Sequence, residues 1–69
     1  MELRQFINNN IKDSKKYRFV LHTQECDFIN TGNNEISFYE LFQILGLTLL
    51  ECEIKEVFFK ENIYKIEVE

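Results

Sequence analysis

The chain has 69 residues, 45% of them apolar and 14% aromatic, with eight basic and twelve acidic side chains and a net charge of −4. At this size only about 60% of the unfolded surface can be buried, which leaves room for a single domain, residues 1–69, and one core. There is no stretch of about 18 apolar residues and no basic-then-apolar leader, so neither a membrane span nor a secretory signal is expected, and the expected compartment is the cytosol.

In chain order, Leu3, Phe6, Ile7 and Ile11 recur at helical spacing and predict a helix over about 2–12. Asn8, Asn9 and Asn10 are poor helix formers, so this helix depends on packing rather than propensity. After the break at DSKK, the run YRFVLHT alternates Tyr17, Phe19, Leu21 and Thr23 with Arg18, Val20 and His22, the period of a half-buried strand. ECDFIN reads as a second, shorter strand and INTGNN as a loop.

The next stretch, TGNNEISFYELF, resembles an EF-hand calcium loop in its second half, with Gly32, Asn33, Glu35, Ile36, Ser37, Phe38 and Glu40 at familiar places. The first half departs from that pattern, because Ile29 and Thr31 stand where oxygen ligands belong and Asn34 where the turn glycine belongs. Calcium needs six to eight oxygens, and only Asn33 and Glu40 would supply them from side chains. A helix start covers the same residues: Ser37 and Glu40 form a capping box, and Ile36 staples onto Leu41. The helix then runs over about 38–45 with Phe38, Leu41, Phe42 and Leu45 on its core stripe, and Gly46 is expected to end it as a left-handed C′ residue.

The final segment, KEVFFKENIYKIEV, predicts a C-terminal β-hairpin over about 52–68 with a two-residue loop at Glu61-Asn62. That register pairs Phe59 with Tyr64, Val57 with Ile66 and Lys55 with Val68 on the core face. Phe58 then lies beside Lys65, Lys60 beside Ile63 and Glu56 beside Glu67 on the outer face. The expected fold class is therefore α+β, a small antiparallel sheet of three or four strands covered by the two helices.

Little of this points to chemistry. His22, Cys26 and Cys52 are the residues able to grip a zinc ion or to form a thiol nucleophile and base, but no CxxC or HxxxH spacing supports either use. Buried, reduced thiols are the simpler reading of the two cysteines. With Gly32 and Gly46 as its only glycines, the chain has no phosphate-cradling loop. The expectation is a protein with no catalytic residues, metal or cofactor.

Charge carries more information. Residues 1–18 hold Arg4, Lys12, Lys15, Lys16 and Arg18 against Glu2 and Asp13, whereas residues 19–69 hold three lysines against ten acids. An acidic field repels nucleic acid and attracts basic surfaces. The expected function is a small acidic protein-binding module that blocks a basic site on another protein through Glu25, Asp27, Glu35, Glu51, Glu53 and Glu56. In profile, though in no shared motif, the chain is similar to phage and mobile-element inhibitors such as anti-CRISPR and other counter-defence proteins. Phe58, Ile63 and Tyr64 are the expected partner or dimer interface, and self-association as a homodimer through an edge strand or the outer face of the hairpin is expected of so small a core. Two rival readings are a small-molecule or nucleotide-binding dimer lined by Tyr17, Tyr39 and Tyr64, and a regulatory nucleic-acid binder using Lys12, Lys15, Lys16 and Arg18 around Tyr17.

Overall fold

The computed structural model describes residues 1–69. Three helices, α1 (Leu3–Asn10), α2 (Phe38–Ile44) and α3 (Leu47–Leu50), pack against a sheet of four strands. The strands are β1 (Arg18–His22), β2 (Asp27–Asn30), β3 (Ile54–Lys60) and β4 (Ile63–Val68), in the spatial order β2-β1-β4-β3. The α+β class, the N-terminal helix, the short helix and the C-terminal hairpin are as the residue pattern predicts. One pairing differs from a purely antiparallel sheet. β1 and β4 run parallel, with Phe19 beside Tyr64 and Leu21 beside Ile66, so the sheet is mixed.

Each element ends for a local reason. α1 stops at Asn10, whose side-chain amide donates to the Phe6 carbonyl at 2.8 Å and competes with the next helical turn. α2 starts at the capping box: the Glu40 N–H donates to Ser37 Oγ at 3.2 Å and the Ser37 N–H donates to Glu40 Oε1 at 3.1 Å. Replacing this cap by Ser37→Ala is expected to cost about 1 kcal/mol, a fall in Tm of about 4–8 °C for a domain of this size. A thermal melt followed at 222 nm measures it, and an unchanged Tm would mean that the box contributes nothing.

Gly46 does not take the left-handed C′ conformation. Leu45 leaves the helix extended, and Gly46, at φ −78°, is the N-cap of α3. That extra turn buries Leu50 in the core, which a helix ended outright at Gly46 would leave unfilled.

The hairpin loop is a type I′ turn, with Glu61 at φ 53° and Asn62 at φ 65°. Its register sets Val57 beside Ile66, Phe58 beside Lys65 and Phe59 beside Tyr64, as the alternation predicts. Near the start of β3 a bulge shifts the pairing, so that Ile54 rather than Lys55 faces Val68. The physical gain is plain: an apolar residue meets Val68, and Lys55 is free to reach Glu67 Oε2 at 3.7 Å. This ion pair also offsets the like charges of Glu56 and Glu67, which stand directly opposite each other.

The core lies between the helices and one face of the sheet. Leu3 and Ile7 from α1, Phe38 and Leu41 from α2, Phe19 and Leu21 from β1, and Ile66 and Val68 from β4 are at most 1% exposed. Aromatic rings fill its centre. Phe38 meets Phe6, Tyr17, Phe19 and Tyr64 edge-on at centroid distances of 5.2–5.9 Å.

Candidate protein-binding surface

The fully buried sheet residues, Phe19, Leu21, Ile66 and Val68, all lie on the two middle strands, β1 and β4. The strand left uncovered is β3. Val57 and Phe59 point to the core face yet are 38% and 51% exposed, and Phe58 on the outer face is 56% exposed. Phe59 rests on Tyr64 at 4.4 Å and on Tyr17 at 5.7 Å, an extension of the aromatic core that reaches solvent. β3 is also an edge strand, and no backbone hydrogen bond outside its ladder with β4 involves Lys55–Lys60. Only the approach to β3 is covered: the Leu3 N–H donates to the Cys52 carbonyl and the Ile54 N–H to that of Met1, at 2.9 and 2.8 Å.

The parallel pairing of β1 with β4 sorts the charges into two ends. His22 lies beside Asp27 on one side and Glu67 on the other, and Glu67 lies beside Glu56, so three carboxylates cross the sheet in one row. Glu25 is in the turn that joins β1 to β2, and Glu53 is bonded through its backbone to Glu69 and bridged to Glu2. Glu51 precedes it. Glu25, Asp27, Glu51, Glu53 and Glu56 are all exposed and belong to this acidic end.

Glu35 does not join them. It sits at the opposite end of the sheet, where its carboxylate accepts from Asn62 Nδ2 at 2.8 Å. There too are Arg18, beside Ile63, and Lys16, whose Nζ is 3.7 Å from Glu40 Oε1. The turn brings Lys60 to the same end, an addition to the basic cluster that its place in sequence conceals. The Ser37 N–H bonded to its carboxylate, with Lys16 nearby, holds Glu40 below its ordinary value.

Tyr17 is not available as a stacking platform, being only 8% exposed and packed among Phe19, Phe38, Phe59 and Tyr64. Its hydroxyl donates to Asp13 Oδ2 at 2.6 Å. That bond, with the Lys15 N–H as a second donor, holds the Asp13 carboxyl below its usual range, and it pushes the Tyr17 phenol up to about 12. Because the phenol is raised in the folded chain, the stability it contributes is complete below about pH 10 and is lost as pH rises toward 12. Absorbance at 295 nm should therefore show a last tyrosine step near pH 12 that Tyr17→Phe abolishes. If that step survives the substitution, the Tyr17–Asp13 bond does not control it.

Other expected groupings fare differently. Phe58 and Ile63 share the outer face, whereas Tyr64 points to the core face, because neighbours in a strand alternate. Tyr17 and Tyr64 touch at 5.1 Å inside the aromatic core, while Tyr39 is exposed on α2 with Gln43 bonded to its hydroxyl. Cys26 is an exposed thiol rather than a buried one and Cys52 a half-buried one, both unpaired. His22, Cys26 and Cys52 are not gathered into a metal-ligand set. An open groove of about 450 Å³ runs between β2 and α2, lined in part by Phe28, Ile29, Ile36 and Ile44. A smaller one of about 320 Å³ on the outer sheet face lies among His22, Glu56, Phe58, Lys65 and Glu67.

No family model matches this chain, and no curated protein and no solved structure is similar to it at a significant level.

Proposed function

We propose that this chain is a non-catalytic protein-binding module that lays its acidic end on a basic site of another protein and occludes it. The chain is similar in profile to phage and mobile-element inhibitors, and this mode of action needs only shape and charge. The observation that carries the reading is the convergence of Glu25, Asp27, Glu51, Glu53 and Glu56, distant in sequence, on one end of the sheet. Carboxylates gathered at one end of a folded domain complement lysines and arginines and speed the encounter with them. The module acts as a homodimer in the cytosol of its host cell.

The test uses Glu25, Asp27 and Glu51, which are exposed and whose carboxylates take no part in the fold's hydrogen bonds. Wild-type protein and the triple variant Glu25→Lys/Asp27→Lys/Glu51→Lys are immobilised and challenged with a host extract. The wild type should retain a defined basic protein that elutes by about 0.5 M salt, where charges are screened beyond about 4–5 Å. The triple variant should retain at least about 100-fold less of it. Equal retention by both would defeat the reading.

A nucleic-acid binder using Lys12, Lys15, Lys16 and Arg18 is the second reading, supported by Lys60 lying at the same end as Lys16 and Arg18. Its stacking element is missing, since Tyr17 is enclosed. Binding to single-stranded oligonucleotides that is abolished by Lys15→Glu/Lys16→Glu, with the acidic variant unaffected, would favour it over the first.

A further inference from the structure

The open edge of β3 is its own complement. Between the part of the edge covered by Met1–Leu3 and the turn at Glu61-Asn62, the free stretch reads Lys55-Glu56-Val57-Phe58-Phe59-Lys60-Glu61, with Phe58 at its midpoint. In a two-residue hairpin the residues flanking the loop, Lys60 and Ile63, form a hydrogen-bonded pair, so Lys60, Phe58 and Glu56 turn their backbone groups toward β4. Val57 and Phe59 therefore turn theirs to the open side. We propose that two copies of the chain pair antiparallel through this edge about a two-fold axis at Phe58, making one continuous eight-stranded sheet. The pairing deepens the homodimer reading above and rests on it.

In this register the backbone groups of Val57 meet those of the partner's Phe59, and the symmetric contact repeats the exchange. On the core face, Val57 lies against the partner's Phe59, covering the apolar surface that the helices leave bare. On the outer face, Phe58 meets the partner's Phe58, Glu56 meets the partner's Lys60, and Lys60 meets the partner's Glu56. Lys55 comes opposite the partner's Glu61. Edge strands usually carry lysine to repel a second strand; here each lysine finds a carboxylate.

The alternation of backbone groups allows registers that differ by two residues. A shift one way sets Glu56 against the partner's Phe58, and a shift the other way sets Lys60 against it. Both lose the charge matching, so the register centred on Phe58 is selected. Such an interface is isologous and closes on itself, which leaves Glu25, Asp27, Glu51 and Glu53 free for another partner.

Sedimentation velocity on the purified full chain between about 1 µM and 1 mM tests the pairing. The wild type should dimerise within that range, the affinity class of a small interface. Glu56→Lys and Lys60→Glu should each weaken the dimer at least about 10-fold, since either one places like charges opposite each other twice about the axis. Mixed in equal amounts, the two single variants should dimerise with each other, and the double variant Glu56→Lys/Lys60→Glu should dimerise to within about 3-fold of wild type. Glu56→Lys also removes the like-charge contact with Glu67, so its thermal stability as a monomer should rise while its dimer weakens. Misfolding cannot produce that opposition. A wild type that is monomeric at about 1 mM overturns both the pairing and the homodimer reading. A dimer indifferent to either single change, or not rebuilt by mixing the two, overturns the Phe58-centred pairing and leaves the homodimer reading standing. Neither result bears on the acidic-end reading, which the Glu25/Asp27/Glu51 variant tests separately.

Discussion

Phe38→Ala removes about a third or more of the chain's folding free energy. Phe38 is completely buried and its ring touches Phe6, Tyr17, Phe19 and Tyr64, which come from α1, the bridge before β1, β1 itself and β4. Truncating such a side chain costs about 3–5 kcal/mol, the transfer energy plus the cavity left behind. A domain of this size has a total stability on the order of 3–10 kcal/mol. The loss therefore takes up much or all of it. Near-UV circular dichroism reads the aromatic packing directly, and urea melts give the free energy. A variant that keeps its near-UV signal and loses less than about 1 kcal/mol would show that the cluster collapses around the gap, and that the centre of the core lies elsewhere.

Asn62→Ala should be the most damaging change at any residue outside the core. Asn62 joins the hairpin to the rest of the chain. It holds φ 65° in the turn, its Nδ2 donates to the Lys16 carbonyl at 3.2 Å and to Glu35 at 2.8 Å, and its carbonyl accepts from the Arg18 N–H at 3.0 Å. A left-handed alanine costs about 1–2 kcal/mol, and each exposed hydrogen bond lost costs about 0.5–1.5 kcal/mol. With the two side-chain bonds the sum is about 2–5 kcal/mol. Asn62→Gly separates the two parts, because glycine accepts the turn geometry and loses only the side-chain bonds. Chemical denaturation should place Asn62→Gly between wild type and Asn62→Ala. Equal losses for the two variants would mean that the turn carries no backbone strain.

Glu40 and Asp13 add an acid limb to this stability. Both carboxyls are held below their ordinary values by hydrogen bonds from Ser37 and Tyr17 respectively. Their contribution is present above about pH 4 and is lost as pH falls through the lowered folded values.

What the residues alone determined was local. The capping box at Ser37 and Glu40 and the five hairpin pairs from Glu56–Glu67 to Lys60–Ile63 follow from side chains a few positions apart, whose hydrogen bonds and alternation need no distant partner. The α+β class follows from the same periodicities. The exposed Phe58 and the half-buried Ile63 on the outer face were legible for that reason too.

The tertiary structure decided what depends on contacts across the chain. The parallel docking of β1 on β4 has no local signature, and it alone brings Glu25 and Asp27 to the end that holds Glu53 and Glu56 while carrying Glu35 away from them. It also encloses Tyr17, whose neighbours Lys15, Lys16 and Arg18 in sequence suggest a stacking ring. α3 and the bulge at Ile54 arise because Leu50 and Ile54 fill space that the helices and Val68 leave open, and a gap in a core is a property of the packed molecule rather than of any segment. The bare core face of β3 is likewise a property of the assembled molecule: the buried sheet residues lie on the middle strands β1 and β4, and an edge strand is covered only where a helix comes to lie over it.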